Sequence, residues 1–289
     1  MIFLSPAKVN LTLQITGADK KDGYHFIKSI FDPIALYDIL EINTIKGTGI
    51  ILKDKLKKLR IAPSDNTIYK AVKKFKEHTG MKIGLKIEFY KHIPEGAGLG
   101  GGSSNAAAVL IALNRLYGAD FSSSDLAAMA SEIGSDVPFF IYRKPAVVSG
   151  KGEKIEIIKD ARKLWYVLVY DNVKVSTKDA YRLYDKFYAG EYKLTGRFDY
   201  NKILLDYMKG SRMSGGILYN DFEKVVFLKY KNLFSIILFF LQHQCVDTGL
   251  SGSGSTIFAV YEDKKTAFKC FNAARKQFKK AKVYMTHSL

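Results

Sequence analysis

The sequence predicts an α+β protein built from two domains. The chain has 289 residues, which is too many for one ordinary compact core and too few for three. In its first half, apolar and polar residues alternate in several short segments, as in strands, with two or three helical segments among them. The pattern changes after Gly150, so we place the boundary near residue 160, with domains at 1–160 and 161–289.

The predicted strands of the first half begin near the N-terminus. Residues 7–15 alternate, so Lys8 and Asn10 lie on one face and the intervening apolar residues on the other. Residues 24–52 predict further short strands, with turns at 19–23 and 46–49, and Ile83–Tyr90 predicts another. A polar strand face is commonly solvated, but Lys8 and Asn10, two residues apart, can also line a cleft.

Helices are predicted from apolar spacing and from end signals. Residues 66–79 precede Gly80, and residues 105–117 precede Gly118, because glycine suits the left-handed conformation that ends many helices. Residues 124–133 follow serines that can cap a helix N-terminus. The second half predicts strands at 155–158, 165–170 and 256–261, helices at 177–188 and 221–241, and a basic C-terminal helix.

The net charge of +17 admits two interpretations. The lysines are scattered along the chain, which favours solvated helix faces in a lysine-rich protein. The same charge also fits attraction to nucleotides or binding of a polyanion. Charge alone therefore names no partner.

Composition and targeting signals narrow the class of protein. The longest apolar stretch, Leu233–Leu241, is well short of the roughly 20 residues that span a bilayer. No basic region followed by an apolar stretch opens the chain, so we expect no signal peptide and a cytoplasmic protein. Cys245 and Cys270 have neither disulfide-framework nor zinc-ligand spacing, and we interpret both as packing residues.

The strongest functional signal is the glycine-rich segment Pro94–Ser104, between a predicted strand and a predicted helix. Five of the seven residues 96–102 are glycine, so the backbone can approach a ligand closely and turn its N–H groups toward it. The following helix directs its positive dipole end and its unpaired N–H groups to the same place. These features predict a phosphate-binding site.

Two other phosphate-binding motifs fit this segment less well. The spacing of Gly96, Gly98 and Gly101 formally satisfies the dinucleotide fingerprint. However, Pro94 separates the glycines from the strand, and the element after the first helix is a second helix rather than a parallel strand. The nucleotide-binding signature G-x-x-x-x-G-K-[S/T] does not occur in the sequence.

Two further segments carry residues suited to chemistry. Gly134–Phe140 holds Asp136 on a glycine turn before a buried apolar run, and Lys8 offers a cation that could keep Asp136 ionised and oriented. Ser251–Phe258 is a second glycine turn that leads into a strand, and by itself it predicts a hairpin.

Together these segments resemble the three motifs of the GHMP kinase family: a lysine on the N-terminal strand, a Pro-x-x-x-Gly-Leu-Gly loop followed by Ser-Ser, and a C-terminal Gly-Ser-Gly turn. The resemblance spans residues 5 to about 260 and is strongest to the member that phosphorylates a cytidine diphosphate derivative of a sugar alcohol for isoprenoid synthesis. The segments that carry it are Ser5–Leu11, Asp22–His25, Gly98–Ala107, Gly134–Phe140 and Asn220–Glu223.

The resemblance implies a fold, a reaction and cofactors. The implied fold is a two-domain GHMP kinase fold, with an N-terminal ribosomal-protein-S5-like domain and a C-terminal ferredoxin-like α/β sandwich domain. The implied reaction is ATP-dependent phosphorylation of an alcohol, with ATP and Mg²⁺ as cofactors. Asp136 matches the catalytic aspartate, Lys8 matches its partner, and Ser104 is a candidate hydroxyl ligand for Mg²⁺ or phosphate.

The remaining site residues also follow from the resemblance. His25, beside Tyr24, matches a histidine that recognises cytosine, and Tyr181 matches an aromatic residue that stacks on that base. The substrate-binding candidates are Asn10, Tyr24, His25, Tyr181, Gly252 and Ser253. The ATP-binding candidates are Pro94, Gly96, Gly98, Leu99, Gly100, Gly101, Gly102, Ser103, Ser104, Lys91 and Asn66.

Two rival functions stay open at this point. Another GHMP kinase, of the homoserine or mevalonate type, shares the three motifs, although Gly23–His25 and Gly100–Gly102 favour the cytidyl-specific member. A basic nucleic-acid-binding protein fits the charge. We expect small-molecule partners, namely ATP and a cytidine diphosphate sugar alcohol, with no nucleic acid, no membrane, and a monomer or weak homodimer.

Overall fold

The computed structural model describes residues 1–56, 63–188, 200–210 and 216–289. The chain divides into two compact units. The first unit comprises Met1–Ala7, Leu36–Glu95 and Gly100–Lys144, and the second comprises Lys8–Ala35, Gly96–Leu99 and Pro145–Leu289. Two long strands, β1 (Ile2–Ala18) and β2 (His25–Thr44), each pass from one unit into the other. The predicted boundary at residue 160 stays a prediction.

The first unit contains both strands and helices. Strand β4 (Gly84–Tyr90) pairs in parallel with β3 (Gly49–Asp54) and antiparallel with Ile39–Thr44 of β2. The helices are α1 (Thr67–Thr79), α2 (Gly101–Tyr117), α3 (Ser123–Ser131) and α4 (Val137–Tyr142), after a short 3₁₀ turn at Pro63–Asp65. Helix α2 packs against α1 and α4, and its alanine-rich centre is buried.

The second unit contains two groups of paired strands. In the first group, β1 pairs in parallel with β8 (Tyr219–Asn220), and β5 (Ala146–Gly150) pairs antiparallel with both β2 and β6 (Lys154–Ile157). The second group is the antiparallel sheet β11-β7-β10-β9. Its strands are β7 (Trp165–Tyr170), β9 (Asp247–Leu250), β10 (Ile257–Tyr261) and β11 (Lys282–His287).

Helices connect the strands of this antiparallel sheet. Between β7 and β9 lie α5 (Thr177–Tyr188), α6 (Tyr200–Met208), α7 (Glu223–Lys229) and α8 (Lys231–Leu241), and α9 (Lys264–Gln277) joins β10 to β11. Numbered along the chain, the four strands have the spatial order 4-1-3-2. This order, with helices after the first and third strands, is the ferredoxin-like arrangement, so that prediction is confirmed.

Several predicted elements differ from the observed ones. Residues 24–52 form one long strand and one short strand rather than several short strands. Helix α2 begins at Gly101, four residues before the predicted start, because its first turn uses glycine and serine residues that the pattern assigns to the loop. The chain also ends in β11, a strand that the sequence pattern did not indicate. Among the described residues, no helix combines the length and apolar character needed to cross a membrane.

The polar face of β1 is buried rather than solvated. Lys8 and Asn10 are almost fully buried, as are the polar residues at positions 12 and 14. Thr12 shows how such a face is satisfied within the second unit, because its Oγ1 accepts from the N–H of Ile30 at 2.9 Å and its carbonyl accepts from the hydroxyl of Ser29. The alternation predicted for this strand is therefore correct, and its polar side faces protein.

A buried acid in the second unit makes stability depend on pH. Asp32 is fully buried, and its carboxylate accepts a hydrogen bond from the hydroxyl of Tyr166. Burial raises the pKa of Asp32 to about 7, and the Tyr166 hydrogen bond offsets part of that rise. Between pH 4 and pH 7 the folded protein holds a proton that the unfolded chain has released. Stability from this group therefore falls as pH rises through that window.

We predict that Asp32→Asn gains stability relative to the wild type as pH rises. The advantage should be roughly 2 to 3 kcal/mol larger at pH 8 than at pH 5. The wild type loses stability over this range because burial disfavours the ionised carboxylate, whereas the amide of the variant does not ionise. Thermal and urea midpoints at pH 5, 6, 7 and 8 measure it. Asp206→Asn is the control, since Asp206 is exposed in the same unit. A pH-independent difference between Asp32→Asn and the wild type contradicts the prediction.

Candidate active site

The end of the glycine-rich segment forms the first turn of α2 in the first unit. Gly100 is the N-cap, and its φ of 68° is a left-handed conformation that suits glycine. Gly101, Gly102 and Ser103 follow as the first helical residues. N–H groups in the first turn of a helix have no acceptor within the helix. An anion at this turn meets these donors and the positive end of the helix dipole.

A buried carboxylate, that of Asp38, holds the chain on both sides of the glycine-rich segment. Its Oδ1 accepts from the N–H groups of His92 and Ile93 at 2.7 and 2.9 Å. Its Oδ2 accepts from Nδ2 of Asn105 at 3.1 Å and from the ammonium of Lys91. Asp38 is not among the residues predicted from the sequence. A lone acid within an apolar stretch of β2 is the signal that indicates it.

Lys91 and Asn66, the residues expected near the adenine, make structural contacts. The side chain of Lys91 is 6% exposed and pairs with Asp38. A Cβ at Gly101 would lie 3.1 Å from Nζ of Lys91, so the ammonium lies beside the first turn of α2. Asn66 is the N-cap of α1, and its Oδ1 accepts from the N–H of Ile68 at 2.9 Å. Contact of either residue with a nucleotide stays a prediction.

Two hydroxyl groups fix the first turn of α2. Ser5 Oγ donates to Ser104 Oγ at 2.7 Å, and both residues are buried. Thr67 Oγ1 donates to the carbonyl of Gly102 at 2.7 Å.

In the part of the chain that the structure describes, no group of three or more His, Cys, Asp or Glu side chains is placed to hold a metal ion.

Asp136 stands at the head of the short helix α4. A turn precedes it, closed by the N–H of Val137 donating to the carbonyl of Gly134 at 3.1 Å. The residues after Asp136 are buried from Val137 to Ile141, as the sequence predicted, whereas Asp136 is half-buried. Its side chain makes no capping hydrogen bond to the helix. The buried helix therefore fixes the position of a carboxylate that keeps access to solvent.

The second unit collects Lys8, Asn10 and the Gly-Ser-Gly turn. The ammonium of Lys8 donates to Oδ1 of Asn10 and lies 4.3 Å from the ring centroid of Phe31. Asn10 Nδ2 donates to Ser29 Oγ at 3.1 Å, and its N–H donates to Ser251 Oγ at 3.3 Å. Lys8 and Asn10 thus share one polar cluster with the start of the turn that follows β9.

The middle of the glycine-rich segment packs against the same turn within the second unit. Ser251 Oγ donates to the carbonyl of Gly98 at 2.9 Å, and the N–H of Lys8 donates to the carbonyl of Leu99 at 3.1 Å. A Cβ at Gly98 would collide with the carbonyl oxygen of Ser251, and one at Gly252 would lie 3.2 Å from Cα of Gly98. Both positions require glycine because two backbone segments approach closely.

The segment Asn220–Glu223 stabilises this turn through hydrogen bonds. Asn220 Nδ2 donates to the carbonyls of Leu250 and Gly252 at 2.7 and 2.8 Å. The N–H of Leu250 donates to Glu223 at 2.7 Å. Burial raises the pKa of Glu223 to about 7, and the hydrogen bond from Leu250 opposes that rise. Ser253, a predicted substrate residue, shares a 2.7 Å hydrogen bond with Thr177.

The predicted base-recognition residues also meet in the second unit. The rings of His25 and Tyr181 stack with centroids 4.3 Å apart and an interplanar angle of 16°. The rings of Tyr181 and Phe222 are nearly perpendicular, with centroids 4.8 Å apart. His25 Nε2 lies 2.8 Å from Oδ1 of Asp185, a residue that was not predicted. In this structure Tyr181 therefore stacks on His25 itself.

Ion pairs with Lys151 restrain the loop that precedes His25. Lys151 Nζ lies 2.8 Å from Asp19 and 2.6 Å from Asp22, and these hydrogen bonds lower the pKa of both carboxyl groups. The same ammonium lies 5.7 Å from the ring centroid of Tyr24, which is 59% exposed. Tyr24 therefore presents an accessible ring on a restrained loop.

Comparison with known proteins decides the family. The profile of the GHMP kinases N terminal domain matches residues 66–144, and that of the GHMP kinases C terminal domain matches residues 203–280. The chain belongs to the GHMP kinase family. It is therefore an ATP-dependent small-molecule kinase.

The similarity to known proteins covers the whole chain of this GHMP kinase. The 4-diphosphocytidyl-2-C-methyl-D-erythritol kinase of Clostridium botulinum (strain Loch Maree) is 35% identical, and the alignment covers all of both chains. A crystal structure of 4-(cytidine 5'-diphospho)-2C-methyl-D-erythritol kinase matches with a TM-score of 0.82 at 29% identity, again over both whole chains. Methanococcus jannaschii mevalonate kinase, with a TM-score of 0.72 at 16% identity, shares the fold.

The structure brings several predicted site residues of the kinase together within the second unit. Lys8, Asn10, Gly98, Leu99 and Gly252 form one cluster in the second unit. Gly96 and Glu95 are exposed, and Pro94 is buried. Asp136 lies in the first unit and Lys8 in the second, so their expected pairing stays a prediction.

We predict that Gly98→Ala weakens ATP binding far more than Gly96→Ala. Both glycines have positive φ, 77° and 63°, so both variants carry similar backbone strain of about 1 to 2 kcal/mol. Only at Gly98 does the added methyl group also strike the Ser251 carbonyl, whereas nothing lies within 4 Å of a Cβ at Gly96. Calorimetric ATP titration and thermal midpoints of both variants measure the difference. Equal losses would show that close packing at Gly98 is unimportant.

We predict strong coupling between Asp38 and Lys91. Asp38→Ala should cost about 3 to 5 kcal/mol of stability, because it leaves the buried ammonium of Lys91 without its carboxylate. Lys91→Met leaves the opposite charge unpaired and should also destabilise. The double variant should lose less than the sum of the two single losses. Urea denaturation of all four proteins gives the coupling energy, and additive losses would contradict the pairing.

Proposed function

We propose that this kinase transfers the γ-phosphoryl group of ATP to the 2-hydroxyl of 4-diphosphocytidyl-2-C-methyl-D-erythritol, a step of the non-mevalonate isoprenoid pathway. The observation that carries the proposal is the contact between His25 and Tyr181 beside the accessible Tyr24. A cytosine base needs aromatic surface and a hydrogen-bonding edge, and these side chains offer both. Whole-chain similarity to relatives of that name supports the same acceptor.

The kinase would bind ATP through backbone donors. Phosphoryl transfer asks a protein mainly for positioning and charge neutralisation, because its transition state needs little covalent help. The N–H groups of Gly101, Gly102 and Ser103 at the start of α2 are proposed to hold phosphate oxygens. The buried Asp38 cluster keeps this turn fixed before the nucleotide arrives.

Mg²⁺ is proposed to accompany ATP, with Ser104 as a protein ligand. The Ser104 hydroxyl accepts from Ser5 and keeps a second lone pair. A serine or threonine hydroxyl beside the substrate phosphates is one of the ligands that hold Mg²⁺ in other nucleotide-binding loops. The ion would supply positive charge on the phosphate oxygens.

Asp136 is proposed as the base and Lys8 as the countercharge. The carboxylate of Asp136 would accept the proton of the acceptor hydroxyl late in its attack, since a carboxylate is far too weak to form free alkoxide first. The Lys8 ammonium would counter negative charge that develops on the attacking oxygen. We also propose that the enzyme acts in the cytoplasm as a monomer or weak homodimer.

We predict that Asp136→Asn lowers turnover at least about 100-fold, the lower range of general-base catalysis, and leaves ATP affinity nearly intact. The assay is ADP release with Mg·ATP and the cytidyl acceptor, and calorimetry gives the ATP affinity. Asp120→Asn is the control, because Asp120 is exposed in the same unit and its left-handed conformation suits asparagine.

Two outcomes would count against these assignments. Near-normal turnover in Asp136→Asn would remove the base role. ATP binding without turnover of this acceptor by the wild type, combined with turnover of homoserine or mevalonate, would leave a GHMP kinase of different specificity.

A further inference from the structure

One face of helix α5 contacts His25 through a ring stack and through a hydrogen bond. Tyr181 and Asp185 are four residues apart on α5, so their side chains project from the same side of the helix. Tyr181 stacks on the imidazole at 4.3 Å, and Asp185 Oδ1 lies 2.8 Å from its Nε2. The His25 side chain is only 9% exposed, and both of its partners lie in the second unit.

The Asp185 contact determines which nitrogen of His25 carries the proton. The Asp185 side chain is 43% exposed to water, and a carboxylate only accepts hydrogen bonds. The group that faces it must therefore be the N–H of Nε2. In the neutral imidazole this leaves Nδ1 with a lone pair and no proton.

We infer that Asp185 is a positioning residue that fixes His25 as a hydrogen-bond acceptor at Nδ1 and thereby selects cytosine over uracil. The inference rests on the proposed function, in which His25 meets the pyrimidine. Cytosine carries an amine donor at position 4, and uracil carries a carbonyl acceptor there. An Nδ1 lone pair accepts from the amine and opposes the carbonyl.

The stack with Tyr181 hinders rotation of the His25 ring away from Asp185. A half-turn of the imidazole would exchange the positions of nitrogen and carbon atoms and break the bond to Asp185. Tyr181 covers one face of the ring, and the buried Phe222 packs against Tyr181 in a T-shaped arrangement with ring centroids 4.8 Å apart. Phe222 is held in turn, because its N–H donates to Oδ1 of Asn220 at 2.9 Å. The orientation of His25 thus depends on packed side chains as well as on one hydrogen bond.

Replacement of Asp185 by asparagine tests the inference. An amide can accept from Nε2–H through its oxygen or donate to a bare Nε2 through its nitrogen, so both neutral forms of His25 become available. The discrimination of the wild type between the cytidine acceptor and its uridine analogue should shrink about 10-fold, within the range that one mispaired polar group supplies. The change should appear in KM for the cytidine acceptor more than in kcat, because the base lies away from the reacting hydroxyl.

The kinetic experiment compares kcat and KM for both acceptors in the wild type, Asp185→Asn, Asp185→Ala and a control. Asp179→Asn is the matched control, since Asp179 lies on the same helix, pairs with Arg182, and has a side chain that is 44% exposed, close to the 43% of Asp185. Its discrimination should equal that of the wild type. If Asp185→Asn keeps full discrimination while the wild type uses the cytidine acceptor, the inference is wrong and the proposed function stands. If the wild type uses neither acceptor, both fail.

Nitrogen NMR tests the proton position independently of any acceptor. The spectra are recorded at pH 8, and the nitrogen shifts of the two neutral forms of histidine differ. The wild type should show His25 protonated at Nε2, and Asp185→Ala should show a mixture of both forms. A wild-type His25 protonated at Nδ1 overturns the inference whatever the kinetics show.

Discussion

The buried carboxylate of Asp38 is the contact on which the turn proposed to bind phosphate depends. A charged group inside a protein is tolerated only when hydrogen bonds and an opposite charge replace its water. Asp38 gathers two backbone N–H groups, the amide of Asn105 and the ammonium of Lys91. These donors lie on both sides of the glycine-rich segment. The carboxylate thereby fixes where that segment leaves β4 and where α2 begins.

Glycine is required at Gly98 and Gly252, where two backbone segments approach closely, and such positions leave a visible mark in the sequence. The glycine-rich segment, the turn at Asp136 and the turn after β9 were all predicted, and all three are present, although α2 begins within the glycine-rich segment. The α+β class and the ferredoxin-like strand order were also correct. Local patterns suffice for such features because turn chemistry and periodicity act over a few neighbouring residues.

Residues whose role depends on distant partners were not predictable. Asp38 is 53 residues from Lys91, Asp185 is 160 residues from His25, and Asn220 is 30 residues from Leu250. No local spacing reveals such a pairing. The same reason explains the polar face of β1, since its alternation was visible but its burial depends on Ser29 and Ser251.

The central claim is that the glycine-rich segment binds the phosphates of ATP through the N–H groups of Gly101, Gly102 and Ser103. Hydrogen–deuterium exchange of peptides that cover this segment tests it most directly, with Mg·ATP compared against adenosine and against no ligand. We expect ATP to slow exchange in this segment and adenosine, which lacks phosphates, to leave it unchanged. Unchanged exchange here with protection elsewhere in the chain would contradict the account.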